Sequence, residues 1–237
     1  WSLQYIKTNA TSSGTNGVRI AVAHGAADIA SNTWQIHDFT PGDFGVTYGS
    51  GYWFDYPSLA VSSNYLYFTY NIFTTTTDTW AATVIGRVPL SALDSNTAFT
   101  LDTFVTTSYF TLAPVSGAAN TMWFAAVKTG TSIEVVKWLE SATVPTLYDV
   151  TGLNATYFGT PTCTAFDSTN PCGRGDTRVQ TGWVTSTELG FAWASSQNAV
   201  AGRPYPFTRV AILDPNTPTT VMSQPDLWNA SYAYMYP

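Results

Sequence analysis

The stretch TMWFAAVKTGTSIEVVKW, residues 121–138, contains two apolar segments on either side of the polar turn Lys128-Thr129-Gly130-Thr131. The second segment, Ser132 to Trp138, alternates between apolar and polar side chains. A period of two is typical of a half-buried β-strand, and a short turn that contains Gly is typical of a hairpin. Residues 121–138 therefore predict two antiparallel strands.

The same pattern recurs along the chain. Aromatic and β-branched runs, which favour strands, are separated by clusters of Ser, Asn, Asp, Gly and Pro, which favour turns. Further predicted strands lie at residues 65–70, 189–194 and 207–213. The best candidate for a helical turn is Val88 to Leu93, and no long stretch has the apolar spacing of an amphipathic helix. The sequence predicts an all-β protein.

The predicted strands are arranged in a longer repeat. A short opening strand is followed by a strongly apolar one, then by one with a single charge and finally by a Thr-rich one. Such units open at Tyr56-Pro57, Ala113-Pro114, Thr177-Arg178 and Tyr236-Pro237, at intervals of about 60 residues. A repeat of four-stranded units at this spacing indicates a β-propeller.

We predict one propeller domain over residues 1–237, with antiparallel blades at 1–48, 49–107, 108–170 and 171–231 and a further strand that starts in 232–237. Residues 1–48 supply only three strands. The C-terminus could complete that blade and close a four-bladed ring, or the chain could be a segment of a larger propeller, which is the arrangement we expect. A two-sheet sandwich is the alternative fold, because it also has regularly spaced strands.

Composition excludes some classes of partner. The net charge is −6, the pI is about 4.6, and only 9 Lys and Arg occur in 237 residues. Nucleic-acid binding needs a basic surface, so we expect no nucleic-acid partner. No apolar run reaches the roughly 18 residues that a membrane-spanning helix needs, so we expect no transmembrane segment.

Cys163 and Cys172 flank a short polar loop, and we predict that they form a disulfide. A disulfide would place the protein in an oxidising, extracellular compartment; two free thiols are the alternative. Three sequons, at Asn9, Asn154 and Asn229, permit N-glycosylation. This number is close to what the Ser and Thr content gives by chance, so the sequons do not demonstrate glycosylation.

Several segments carry a family resemblance. They are Val18 to Ala23, Asn32 to Trp34, Phe54 to Val61, Tyr67 to Phe73 and Gly175 to Gln180. Together they resemble secreted sialidase-like propeller proteins of the BNR type, which implies a propeller fold and an extracellular setting. The chain departs from that family in two respects. The Asp box has no clean copy, since the segment from Asp28 to Trp34 has one residue too many, and no spacing selects an arginine triad among the six arginines.

Two acidic residues are the first candidates for a functional site. Asp55 and Asp176 each precede a predicted opening strand, with Tyr56 and Arg178 beside them. The opening strand is innermost in a propeller, so both carboxylates should lie near one mouth of the central channel. Such a pair could catalyse glycoside cleavage or bind Ca²⁺, although no cofactor is required. Alternatively, each carboxylate accepts backbone hydrogen bonds where a strand begins, and Arg178 pairs structurally with Asp176.

Aromatic side chains are the second candidates. Tyr52 and Trp53 end a Gly-rich stretch, Gly42 to Trp53, that we expect to form a loop, and exposed rings there could stack on sugars. They could equally cover a blade interface. His24 and His37, the only histidines, have no recognisable catalytic partner and are more simply explained as exposed or structural residues.

Three functions remain open. The first is an extracellular module that binds a glycan or a protein without catalysis. The second is a glycoside hydrolase or polysaccharide lyase, and the third is a structural subunit of an extracellular assembly. The sequence does not decide whether the protein is an enzyme, because fold does not determine function.

Overall fold

The computed structural model describes residues 2–4 and 16–235, with residues 2–4 and Arg174 described for their backbone only. Its helices are short: Ala26–Ser31 (α1), Leu90–Ser95 (α2) and a few single 3₁₀ turns. The remaining regular structure is β-strand, which confirms the all-β class. α2 overlaps the helical turn predicted at Val88 to Leu93, whereas the sequence did not predict α1.

The chain divides into two compact units. The first consists of the described residues up to Leu112 together with Glu140–Val144. It contains an antiparallel three-stranded sheet of order β1-β2-β3 and an antiparallel four-stranded sheet of order β4-β5-β6-β7. The strands are Ser2–Gln4 (β1), Val18–Val22 (β2), Gln35–Phe39 (β3), Tyr52–Val61 (β4), Tyr65–Thr74 (β5), Trp80–Pro89 (β6) and Asp102–Thr106 (β7).

The core of the first unit is aromatic. The middle strands β5 and β6 are buried through most of their length, so both of their faces carry apolar side chains. Phe54 of β4 packs against Tyr70 of β5 at a ring distance of 4.8 Å, and Phe39 of β3 packs against Phe68 at 4.9 Å. Burial of large aromatic surfaces is the main stabilising contribution in such a core.

The second unit consists of Ala113–Leu139 and the described residues from Pro145 onward. A four-stranded antiparallel sheet has the order β11-β10-β9-β8, and a five-stranded one has the order β12-β13-β14-β15, with β16 also paired to β14. The strands are Ala113–Pro114 (β8), Thr121–Thr129 (β9), Ser132–Leu139 (β10), Thr146–Val150 (β11), Val179–Val184 (β12), Leu189–Ser195 (β13), Phe207–Leu213 (β14), Val221–Ser223 (β15) and Asp226–Leu227 (β16).

A parallel bridge joins the two sheets of the second unit. Ser116 donates its N–H to the carbonyl of Gly182 at 3.0 Å and accepts from the N–H of Val184 at 2.9 Å. The next residue, Gly117, has a φ of 85°, and a Cβ at this position would lie 2.5 Å from the Val184 carbonyl oxygen. The close approach of the two chains therefore requires glycine.

The sheets can be compared with the predicted repeat. The first sheet has three strands, as predicted, and the sheets formed by residues 52–106 and 113–150 have four each. The last sheet has five strands instead of four, because β15 and β16 pair with β14 one after the other. The blade limits, the propeller arrangement and its completeness stay predictions.

The predicted strand at 232–237 lies only partly within the described residues. Residues 232–235 do not form a strand, and Tyr236 and Pro237 lie outside the described part. Tyr234 donates its N–H to the carbonyl of Pro206 at 2.9 Å and accepts from the Thr208 hydroxyl at 3.1 Å. This segment is therefore held beside β14 of its own unit.

Candidate functional site

The predicted disulfide is present. Cys163 and Cys172 are bonded, with their Cα atoms 5.7 Å apart. Asn170, inside the loop, accepts the N–H of Cys163 through its side-chain oxygen at 3.1 Å and donates its amide to the Pro161 carbonyl. Local hydrogen bonds thus bring the two cysteines together, and the bond is compatible with an oxidising compartment.

Asp55 and Tyr56 lie within β4, where the pairing with β5 is interrupted. Asp55 is opposite Asn71, and the regular register resumes only at Ser58. Tyr56 has a φ of 59° and is 43% exposed. At a β-bulge with a positive φ, side chains no longer alternate regularly between the two faces of the sheet. The Tyr56 ring consequently lies at the surface of the first unit.

Asp176 and Arg178 lie immediately before β12 in the second unit. The Asp176 carboxylate accepts the backbone N–H of Arg178 at 3.0 Å and forms an ion pair with its guanidinium. The geometry matches the structural alternative, in which an Asp receives a backbone hydrogen bond at a strand entry. Asp55 and Asp176 belong to different units, so their joint site stays a prediction.

Tyr52 and Trp53 are the first residues of β4 and do not belong to a loop. The Tyr48 ring meets Tyr52 edge to face at 5.4 Å. Trp53 packs against Phe73 at 5.4 Å and donates its indole N–H to the carbonyl of Thr74 at 3.3 Å. Both rings are half-buried. Their contacts show a packing role, and sugar stacking at these rings stays a prediction.

The sequons differ in their surroundings. Asn9 lies outside the described residues. Asn154 is exposed, and Asn229 is half-buried and accepts the N–H of Ser231 through its side chain at 2.7 Å. Glycosylation of all three stays a prediction.

His37 lies on β3 against the ring of Phe99, at 5.5 Å. His24 forms a contact of 3.2 Å between its Nδ1 and Oδ1 of Asp94. Within residues 16–235 no group of three or more His, Cys, Asp or Glu side chains is placed to hold a metal ion.

The structure also contains a polar cleft in the second unit that the sequence did not predict. It has a volume of about 270 Å³ and is lined by Asn154, Ala155, Tyr157, Ala201, Arg203, Arg209 and Asp226. We call it the arginine cleft.

Two guanidinium groups share one carboxylate in the arginine cleft. Arg203 contacts Oδ2 of Asp226 at 2.9 Å, and Arg209 contacts Oδ1 at 2.7 Å. The side chains of Arg209 and Asp226 are only 5% and 9% exposed. Arg209 also donates to the carbonyl of Ala155, but its Nε is buried without a hydrogen-bond partner among the described residues.

The electrostatics of the cleft follow from this shared carboxylate. Burial disfavours the charged form of Arg209 and lowers its pKa from the usual value, and the nearby Arg203 acts in the same direction. The Asp226 charge opposes this shift without cancelling it. Two positive charges beside one negative charge leave the cleft with an uncompensated positive charge.

An exposed aromatic ring lies at the side of the cleft. The Arg203 guanidinium carbon lies 4.2 Å from the ring centre of Trp228, which is itself 43% exposed. Arg203 also lies over Phe207 at 5.6 Å. Aromatic rings on a guanidinium hold its plane in one orientation. The second unit thus combines a cationic cleft with an apolar ring that solvent can reach.

No spacing in the sequence could have shown this site. Arg203, Arg209 and Asp226 are separated by loops, and they meet because β16 pairs with β14 so that Arg209 lies opposite Asp226. The useful signal would have been the segment Pro225-Asp226, since Pro interrupts a strand and an Asp beside it is available to a cation.

The first unit also contains a cavity. Its volume of about 980 Å³ is larger than that of the arginine cleft. Its walls come mainly from β2, β3, α1, β4, β5 and α2 and are mostly aliphatic, with Trp34 as an aromatic member. His24 and Asp94, which contact each other, both line this cavity. The sequence alone had assigned no role to His24.

The chain matches no protein-family model, and no curated protein is significantly similar to it in sequence. The sialidase-like resemblance therefore stays a prediction.

Among the described residues, no helix has the length and apolar character needed to traverse a bilayer.

Proposed function

We propose that the chain is an extracellular binding module, arranged as a sialidase-like β-propeller or part of one, that binds acidic oligosaccharides through the arginine cleft. The observation that carries this proposal is the ratio of two guanidinium groups, on Arg203 and Arg209, to the single carboxylate of Asp226.

The charge of the cleft selects the class of ligand. A buried guanidinium is stable when its donors are satisfied, and Arg209 retains one buried N–H that lacks a partner among the described residues. A carboxylate or sulfate group would supply acceptor oxygens and neutralise the excess charge. A neutral ligand would do neither, so we expect an acidic group at this position.

The surroundings of the cleft favour a sugar as the carrier of that group. Sugar rings present an apolar C–H face that packs on aromatic rings, and Trp228 offers such a ring next to Arg203. Asn154 lines the same cleft and can exchange hydrogen bonds with hydroxyl groups. The amide, the ring and the cations together match a polar ligand with one apolar face.

The setting of this proposal rests on separate observations. The Cys163–Cys172 disulfide is compatible with secretion. Four antiparallel sheets in sequence order, together with the regular repeat of opening strands, support a propeller. A binding function without catalysis is favoured because the carboxylate of Asp226 is already held by two arginines and is not available as a general acid or base.

The test is calorimetric titration with trigalacturonic acid and with its fully methyl-esterified form, in which each carboxylate is replaced by a neutral methyl ester. We expect the acid to bind and the ester to bind at least tenfold more weakly. Arg203→Gln should weaken binding of the acid by about ten- to a hundredfold, since a hydrogen bond to a charged group contributes about 1.5–3 kcal/mol. Trp228→Ala should weaken binding of both forms.

The control variant is Arg19→Gln, which removes an exposed arginine of β2 that pairs with Asp38 in the first unit. It changes the net charge by the same amount as Arg203→Gln and should leave binding unchanged. Equal affinity of Arg203→Gln and the parent protein would refute the proposal. Mass spectrometry of the titrated sugar completes the test, because cleavage products would show an enzyme in place of a binding module.

A further inference from the structure

The cavity of the first unit is a concave site with an apolar floor. Ile20 of β2 and Leu93 of α2 line it and are only 2% and 3% exposed. Its volume of about 980 Å³ is at the upper end of the range of small-molecule sites, which is about 300–1,000 Å³.

The walls of the cavity expose large apolar side chains. Ile29 is 59% exposed, Ile36 is 45% exposed and Leu59 is 38% exposed, although all three belong to regular elements. Apolar surface of this kind is in an unfavourable contact with water, and an apolar ligand would remove it from water.

The polar groups at the cavity have a defined arrangement. The backbone N–H of His24 donates to the carboxylate of Asp28 at 2.9 Å, which fixes the chain at this point. The His24 ring contacts Oδ1 of Asp94 at 3.2 Å, and the Asp94 side chain is 81% exposed. The Asp94 carboxylate is therefore largely exposed to solvent where it lines the cavity.

We propose that this cavity binds an amphiphilic small molecule with an aliphatic body and an ammonium group, and that the ammonium group binds Asp94. Charge complementarity decides the polar end: the Asp94 carboxylate attracts an ammonium group and repels a carboxylate on the ligand. The site lies in the first unit and is independent of the arginine cleft, so either proposal can fail without the other.

The experiment uses decylamine, decanol and decanoate below their aggregation concentrations at neutral pH, with binding followed by calorimetry. We expect saturable binding of decylamine, at least tenfold weaker binding of decanol and no measurable binding of decanoate. Asp94→Asn should weaken decylamine binding at least tenfold and leave decanol unchanged, since it removes only the charge.

The cavity wall is tested by Ile36→Asp, which places a charge on an exposed position and so should not prevent folding; circular dichroism confirms this. It should abolish binding of decylamine and decanol. The matched control is Val46→Asp, because Val46 is 99% exposed in the same unit and does not line the cavity. It should bind decylamine as the parent does.

Three results would overturn the proposal. The first is decanoate binding as tight as that of decylamine, and the second is the absence of saturable decylamine binding. The third is a concentration-dependent dimer, measured by light scattering, that Ile36→Asp abolishes and decylamine does not dissociate, since this would assign the cavity wall to a second copy of the chain.

Discussion

The substitution Asn71→Ala should be among the most damaging in the first unit, because Asn71 organises a buried polar network. Its side-chain oxygen accepts the hydroxyl of Thr83 at 2.7 Å and the N–H of Thr111 at 3.1 Å, and its amide donates to the Thr111 hydroxyl at 2.6 Å. Asn71 is 1% exposed and Thr83 is fully buried. Alanine would remove all three hydrogen bonds. Because the site is buried, water would not readily replace the lost partners.

The expected loss follows from these contacts. Each hydrogen bond contributes about 1 kcal/mol, and a buried group left without a partner costs about 1–3 kcal/mol. The N–H of Thr111 keeps a second acceptor in the Thr83 hydroxyl at 3.2 Å, so not every group is orphaned. Thr111 has a φ of 59°, an unfavourable conformation for a β-branched residue, and the network holds it there. We expect a loss of about 3–5 kcal/mol.

The measurement is urea-induced unfolding followed by tryptophan fluorescence. Trp80 contributes to this signal from beside the network, because its indole nitrogen lies 3.3 Å from the Thr83 hydroxyl oxygen. Asn120→Ala is the control: Asn120 is exposed, and its substitution should change stability by no more than about 0.5 kcal/mol. A loss below about 1 kcal/mol for Asn71→Ala, with the fold intact, would refute the reasoning.

Two further predictions concern the disulfide and an acidic side chain. Replacing Cys163 and Cys172 by Ser should lower the free energy of unfolding by up to about 3 kcal/mol, the entropy of closing so short a loop, and denaturant unfolding of the double variant measures this. Burial opposes ionisation of Glu140, but hydrogen bonds from Ser62 and from the side chain and N–H of Asn64 outweigh it and lower its pKa. A lowered pKa in the folded state stabilises the protein above the ordinary Glu pKa of about 4.3, and this contribution is lost as the pH falls through the folded value. Glu140→Gln should therefore be less stable than the parent at pH 7, and the difference should shrink by pH 3; a difference that does not change with pH would contradict the assignment.

Much of the strand pattern could be predicted because it depends on local composition. The strand predicted at 207–213 coincides with β14, and the hairpin predicted at 121–138 is formed by β9 and β10. Apolar alternation between Gly- and Asn-containing turns indicates where a strand lies, and this pattern can be recognised from neighbouring residues in the sequence alone. The disulfide was predictable for the same reason, since both cysteines lie in one loop.

The errors arise where local composition is ambiguous. Tyr52 and Trp53 follow several glycines and were expected in a loop, but their rings pack on Tyr48 and Phe73, so the strand begins with them. The helix α1 has no buried residue and follows Gly25, so it lacks the amphipathic pattern by which helices are predicted.

The arginine cleft illustrates a stronger limit, because its residues meet only through an interruption in the last sheet. β15 ends at Ser223 and β16 begins at Asp226, and both pair with β14. Between them Pro225 has no N–H to donate, but its carbonyl accepts the N–H of Val210 at 3.1 Å, which keeps the chain alongside β14 through the break. Asp226 consequently lies opposite Arg209. A sequence shows that Pro225 cannot donate a backbone hydrogen bond, but whether strands flank it, and with which partner and register they pair, is set by packing across the sheet. Binding residues that are brought together by strand register can therefore be identified only from a structure, even where the strands themselves can be predicted from the sequence.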